Sequence, residues 1–307
     1  MLVRHLSYFV TLAKERHFAR AAEHCNIAQP TLSAAIRKLE DDLGARLVVR
    51  GQRFVGLTPE GEKLLVWGRQ ILTDYTSLRD DLSGLSKGLT GTLRLGVIPA
   101  AMPMIPFLTD RFTATHPEAK VAIHSTTSRA TQRALDAFEF DGGMTYLENE
   151  PLENVRRVPL YREHYVMAVR RGHPLAERAT ITWEEAADQR LCLLSDDMQN
   201  RRIIDAVAES IGIVIEPDIV SNSFLAICSY LRRSDWASIV PDTFFYVFGG
   251  ASDMVAIDLV EPRHSQSIGL VISDRDPPSP MAHALLGSIA EADFEADLRR
   301  YVRAGDR

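Results

Sequence analysis

The stretch "NIAQPTLSAAIRKLEDDLG", residues 26–44, places hydrogen-bonding side chains at short intervals: Gln29, Thr31, Ser33, Arg37 and Lys38, with Pro30 among them. A Gln amide can bond adenine through two contacts, hydroxyls serve bases or phosphates, and Arg reaches a guanine edge or a phosphate. Beyond them Arg50 and Arg53 flank Gly51-Gln52 in a small basic turn that suits phosphate oxygens. Taken alone, the same polar face suits solvent equally well.

A second set of polar groups recurs at the ends of apolar runs. Pro99-Ala100-Ala101 follows "LRLGVI"; Thr126, Thr127 and Ser128 precede Arg129 after "KVAIHS"; Thr145 and Tyr146 close "FDGGMTYL". Asn200 and Arg202 stand in "QNRR", and Asn222 and Ser223 precede "FLAICSYL". Strand ends and helix starts are where open α/β sheets hold ligands and where free N–H groups attract anions. The hydroxyls and Arg202 point to a small organic anion such as a carboxylate. The competing roles are N-capping for the Ser and Thr residues and a surface acid for Arg202. Gly142-Gly143 would admit another backbone or a ligand closely.

Signs of catalysis are missing. The chain holds no G-x-G-x-x-G, P-loop, H-E-x-x-H or G-x-S-x-G pattern, and its nine histidines form no ligand-spaced pair. Cys25, Cys192 and Cys228 are scattered, without a C-x-x-C, and read as buried thiols. No catalytic residue, metal site or cofactor is expected.

The elements that must position these groups follow from periodicity. Leu2, Leu6, Phe9, Val10 and Ala13 mark a first helix, residues 18–24 a second, and 30–43 a third with a buried stripe of Leu32, Ile36, Leu39 and Leu43. Pro30 suits the third helix's first turn and Gly44 its end. Two short strand-like runs around 50–53 make a basic hairpin, completing a winged helix-turn-helix over 1–58. Thr58-Pro59-Glu60 opens a long helix with cap, Pro and acid in order. Along it Leu64, Gly68, Ile71, Tyr75, Leu78, Leu82, Leu85 and Leu89 alternate by four and three, which predicts a dimer seam, although a helix packed on its own domain can show the same stripe. The linker helix and hinge occupy 59–90, ending in the Gly-rich "SKGLTGT". From 91 to 307 strands and helices alternate, which predicts a mainly parallel sheet in two α/β lobes, the first about 91–161 and 267–307, the second about 162–266. The C-terminal helix is expected over 281–301.

Charge divides along the same line. The whole chain carries 35 Lys/Arg against 41 Asp/Glu, a net −6, yet residues 1–58 hold nine basic and five acidic residues. The head is therefore +4 and the remainder −10, so an anionic partner is expected for the head alone. No run of about 18 apolar residues is present, so no membrane partner is expected. The basic residues near the N-terminus resemble no export signal, which places the protein in the cytoplasm.

"FARAAEHCNIAQPTLSAAIRKLEDDLGARLVVR", followed by "LTPEG", resembles the N-terminal signature of LysR-type transcriptional regulators, and the seam, the hinge and pieces such as "GTLRLGVIP" extend the resemblance over essentially the whole chain. It implies an α/β protein overall, with a winged helix-turn-helix, a coiled-coil linker helix and an effector domain resembling periplasmic binding proteins. It also implies promoter DNA as partner, a homo-oligomer built as a dimer of dimers, a small-molecule effector between the lobes, and RNA polymerase as a further partner. Ala34 and Val48 depart from the family pattern, and Pro99-Ala100-Ala101 lacks a hydroxyl that many relatives carry. Two other readings stand beside it: a DNA-binding protein without a ligand, and a solute-binding protein.

Overall fold

A computed structural model describes residues 2–50, 54–84, 89–233, 235–248, 253–275, 278–290, 294 and 296. The chain divides into two compact units, Met1–Thr90 with Asp136–Glu139, and Gly91–Leu135 with Phe140–Arg307.

The first unit opens with α1 (Leu2–Glu15), α2 (Phe18–His24) and α3 (Gln29–Leu43). They bury Leu6, Phe9 and Leu12, Ala21 and Ala22, and Leu32, Ile36 and Leu39 in one core with Leu47 and Val48. Each buried Leu, Ile, Val or Phe among them contributes about 1.5–3 kcal/mol. The expected stripes hold except at their ends: Leu2 and Leu43 remain 53% and 47% exposed, because each lies in a terminal turn. Gly44 ends α3 in the left-handed region at φ 65°, and the Ala45 N–H returns to the Glu40 carbonyl at 3.1 Å. β1 (Val48–Arg50) and β2 (Phe54–Leu57) pair antiparallel as the wing.

The join between wing and the following helix α4 (Pro59–Gly84) depends on two residues. Thr58 Oγ1 accepts the Gly61 N–H at 3.0 Å and donates to the Arg46 carbonyl at 2.6 Å. A Cβ at Gly61 would stand 2.1 Å from the Leu47 carbonyl oxygen, so no other residue fits there without displacement. Glu40, 3% exposed, accepts the Leu47 N–H at 3.0 Å and pairs with Arg46 at 3.4 Å. Its carboxylate thus ties the end of α3 to the start of the wing.

The second unit begins with β3 (Gly91–Val97), a 3-10 turn (Pro99–Met104), α5 (Ile105–Thr115), β4 (Ala119–Ser125), α6 (Ser128–Asp136) and β5 (Gly142–Tyr146). Then come the 16-residue β6 (Val155–Arg170), β7 (Thr180–Thr182), α7 (Trp183–Ala187), β8 (Cys192–Leu194), α8 (Gln199–Ser210), β9 (Ile219–Ser221), α9 (Phe224–Leu231) and β10 (Ala237–Pro241). α10 (Phe244–Phe248), β11 (Met254–Val260), β12 (Ser265–Ser273) and α11 (Pro280–Ile289) complete it. Beyond Ile289 the expected C-terminal helix falls largely outside the described residues.

The strands join in the order β4-β3-β5-β12-β6-β11-β7, with β10 also on β6, and β8 pairs β9 separately. β3 pairs in parallel with β4 and β5, and β8 with β9, as expected, and β11 does so with β7. β6, β10 and β12 pair antiparallel, so the large sheet is mixed rather than mainly parallel, because the crossing strands return against the direction of the others. β6 runs antiparallel to β12 over Val155 to His164, then antiparallel to β10 and β11 from Tyr165 onward. A single strand therefore belongs to both lobes, and its partner changes between His164 and Tyr165. Periodicity missed β7, α7, α10 and β11, all short or part of an irregular stretch.

Candidate functional site

In the head, α3 buries one face and presents the other. Gln29, Pro30, Thr31, Arg37 and Lys38 are exposed, while Ser33 is half-buried. Pro30 lies in the first turn of α3, as its missing N–H requires, and the helix has no side-chain cap at Ala28. Lys38 is drawn to Asp42 one turn on, at 2.8 Å, and that carboxylate holds its ammonium pKa above the ordinary value. Arg37 makes no ion pair among the described residues, which leaves its guanidinium available to an outside acceptor. Arg50 ends β1, but its side chain is not among the described ones, and Arg53 lies outside the described residues.

The expected seam on α4 separates into two parts. Gly68 faces α1, where a Cβ would meet Leu6 and Val10 at 3.2 to 3.4 Å, and Leu64, Leu65 and Leu72 pack on the head core. Trp67, Ile71, Tyr75 and Leu78 instead stand 63%, 41%, 47% and 57% exposed, at helical spacing. The side chain of Leu82 is not described, and Leu85 lies outside the described residues.

In the second unit the predicted ligand groups do meet, but largely on each other. Ser128 Oγ, in the first turn of α6, donates to Gln199 Oε1 of α8 and accepts from Thr145 Oγ1 at 2.9 Å. Asn200 Nδ2 donates to the Tyr146 hydroxyl at 3.1 Å and to Tyr165 at 3.4 Å. Arg202 grips both oxygens of Glu150, at 2.7 and 2.6 Å, and Arg129 reaches the same carboxylate at 3.4 Å. Arg202 holds the Glu150 carboxyl below its ordinary pKa. Thr127 Oγ1 accepts the Ala130 N–H at 3.1 Å, so it caps α6. The space enclosed by Pro99, Ala100, Thr127, Ser128, Tyr146 and Asn200 is only about 10 Å³, the size of one water. Thr126 is half-buried, with its N–H on the Val97 carbonyl at 2.9 Å, and Ala101 is buried with its N–H on Ile98. At Gly143 the close neighbour is the fold itself: a Cβ would meet Thr131 Cγ2 at 2.4 Å.

Sequence reasoning missed the centre of this network. Glu163, on β6, is fully buried; its Oε1 accepts the Tyr146 hydroxyl at 2.6 Å and its Oε2 has no partner among the described residues. Burial pushes its carboxyl pKa up to about 8, so the acid is protonated at neutral pH. Burial likewise raises the Tyr146 and Tyr165 hydroxyls well above 10. An acid placed in an alternating strand reads as solvent-facing, so nothing in the local pattern identified it.

Asn222 and Ser223, together with Pro99 and Ala100, line a different and larger cavity of about 400 Å³. Its other walls are Met102, Pro103, Ser125, Phe224, Leu225, Pro241 and the α10 residues Phe244, Val247 and Phe248. Among the described residues no cluster of three or more His, Cys, Asp or Glu is placed to hold a metal, and no helix is long and apolar enough to cross a membrane.

Comparison with known proteins agrees with this arrangement. Residues 3–62 match the model of the bacterial regulatory helix-turn-helix protein, lysR family, and residues 86–293 that of the LysR substrate binding domain. The chain is 32% identical over 303 residues to the SDS degradation transcriptional activation protein of a Pseudomonas species, covering 95% of this chain and 96% of that one. It is 34% identical over 197 residues to the DNA-binding transcriptional dual regulator OxyR of Escherichia coli K12, a match spanning 64% of each. A full-length OxyR variant from Pseudomonas aeruginosa superposes with a TM-score of 0.74 at 26% identity, covering 96% of both chains. The structure of full-length CbnR with its target DNA shares the fold, with a TM-score of 0.67 at 20% identity over 94% of this chain and 99% of that one. With a helix-turn-helix head, a two-lobed α/β domain and both family models matched in order, the chain belongs to the LysR family.

Proposed function

We propose that the protein is a sequence-specific DNA-binding transcriptional regulator whose regulatory domain responds to a small-molecule effector. The observation that carries this reading is α3: one face is the core of the head, and the other presents Gln29, Thr31 and Arg37 to solvent. Such a helix fits the major groove, with its N-terminal residues at base edges and the wing, including Arg50 and Arg53, at phosphates. A two-fold dimer joined through Trp67, Ile71, Tyr75, Leu78, Leu82 and Leu85 would present two heads to two half-sites, and a dimer of dimers four. The effector then biases one arrangement of the subunits over another through differential affinity, and so alters contact with DNA and RNA polymerase.

Several relatives are named as hydrogen peroxide-inducible genes activators. Peroxide sensing by a thiol needs an accessible, readily ionised cysteine. Cys192 is buried with its thiol pushed up to about 11, and Cys228 is buried and raised as well. Cys25, in the head, is half-buried rather than buried as expected; in the second unit a bound small molecule accounts for regulation better than oxidation of Cys192 or Cys228.

Footprinting on the DNA upstream of the protein's own coding region, at two salt concentrations, tests the reading. A protected site is expected, with affinity falling steeply as salt rises because counterions are released from the phosphates. Absence of protection at low salt would sink it. A protected site that no small molecule alters would favour a DNA-binding protein without a ligand.

A further inference from the structure

We infer that the regulatory domain takes an uncharged amphiphile, an apolar chain or ring with a hydrogen-bonding head, in the 400 Å³ cavity between the 3-10 turn, the start of α9 and α10. This names the effector class and so rests on the reading of the chain as a ligand-responsive regulator. The volume falls in the range of small-molecule pockets and admits roughly 10–20 non-hydrogen atoms. The polar space beside it holds about 10 Å³ and is closed by the chain's own Gln199 and Ser128, so of these two spaces the apolar cavity is the one with room for a ligand.

Its lining sets the chemistry. Met102, Pro103, Leu225, Phe244, Val247 and Phe248 supply apolar and aromatic walls, and no Asp, Glu, Lys, Arg or His lines it among the described residues. The polar groups are Ser125, Asn222 and Ser223. Ser223 occupies the N-cap position of α9 yet its hydroxyl makes no cap bond, so it is free to bond a ligand. An ionised carboxylate placed here would lose its hydration with no cation to replace it. Arg202, the cation expected at the ligand site, does not line this cavity and is engaged by Glu150. A hydroxyl or amide head has no such cost.

The mouth supports the same occupant. Leu225 and Val247 line the cavity while standing 66% and 54% exposed, apolar surface that a bound chain would cover. The walls come from both lobes, joined directly by the Thr243 hydroxyl on the Ala100 carbonyl at 3.4 Å and by the Phe107–Tyr246 ring contact at 5.6 Å. Filling the cavity therefore fixes the spacing of the two lobes on this side.

Calorimetric titration of the full-length protein with 1-decanol, decanoate at pH 8 and succinate tests the proposal. Saturable binding of decanol is expected, with decanoate at least ten-fold weaker and succinate undetectable. Leu225→Glu and Val247→Glu, both at exposed positions that leave folding intact, should each weaken decanol binding at least ten-fold without moving the ligand-free melting temperature. Succinate binding more tightly than decanol, or decanol binding equally to wild type and both variants, would overturn the assignment. The DNA footprint, measured separately, distinguishes the two readings. Decanol binding that both variants weaken upholds the cavity even where no DNA is protected, and that second result removes the regulator reading alone.

Discussion

At the residue scale, three positions carry separable roles. Gly61 is required because the Leu47 carbonyl occupies the place of a Cβ, at 2.1 Å. Gly61→Ala should destabilise the head by about 1–3 kcal/mol, the range for forced overpacking, and denaturant titration of the protein would show it. Arg37 is exposed and makes no ion pair among the described residues; as a contact to a guanine edge or a phosphate, its loss in Arg37→Ala should weaken binding to a protected site by about 1–3 kcal/mol, with relaxed base preference only for the guanine contact. Equal affinity and preference in a gel-shift competition would remove it from the interface. Glu163 predicts a pH dependence. Its folded pKa of about 8 lies above the ordinary 4.5, so the folded state holds the extra proton between those values. The stability that this proton confers is complete below about pH 4.5 and lost as pH rises through about 8. Glu163→Gln should keep the hydrogen bond without the titration, and the melting temperature of the variant relative to wild type should climb across that interval. A difference that stays flat from pH 5 to 8 would show that the carboxyl is already ionised in the folded protein.

At the element scale, α4 shows how one repeat serves two purposes. Its heptad pattern was legible as a continuous seam, yet Leu64, Gly68 and Leu72 turn toward the head while Trp67, Ile71, Tyr75 and Leu78 stay exposed. A helix of 26 residues packed at one end on its own domain leaves a second apolar stripe exposed, the surface on which the proposed dimer rests. If that stripe is the seam, Leu78→Glu combined with Trp67→Glu should give smaller species than wild type in sedimentation velocity while leaving helical content unchanged. An unaltered mass would assign assembly to another surface. Glu40 illustrates the opposite case. It reads as one more charge on a helix, but is buried and bonded to the wing, because Gly44 turns the chain back over it.

At the scale of the whole molecule, the hydrogen bond between Ser128 of α6 and Gln199 of α8 joins two halves of the regulatory domain that share β6. Ser128 and Gln199 are bonded to each other, and removing both also takes the acceptor from the fully buried Thr145 hydroxyl and a donor from the Asn149 carbonyl. Ser128→Ala with Gln199→Ala should lower the melting temperature by at least about 2–4 °C, the shift for a loss near 1 kcal/mol in a domain of this size. Hydrogen exchange should rise at the starts of α6 and α8, and unchanged protection there would show that the lobes are held elsewhere. The sequence alone determined the order of the modules, the third helix with its polar face, the basic head on an acidic remainder, and the family. These are local: periodicity of 3.6 or 2, caps, and charge counts need no knowledge of distant neighbours. The positions of Thr127, Ser128, Tyr146, Asn200 and Arg202 near one another were also legible, since strand ends and helix starts converge in such sheets. Only the tertiary structure decided what those groups do there. Arg202 is engaged by Glu150, Ser128 by Gln199 and Tyr146 by Glu163, pairs 52, 71 and 17 positions apart, and a cavity of about 400 Å³ lies against α10, which the pattern had not revealed. Whether a polar group is free or satisfied depends on which remote side chain reaches it, and hydrogen-bond pairing across such separations leaves no periodic trace in the chain.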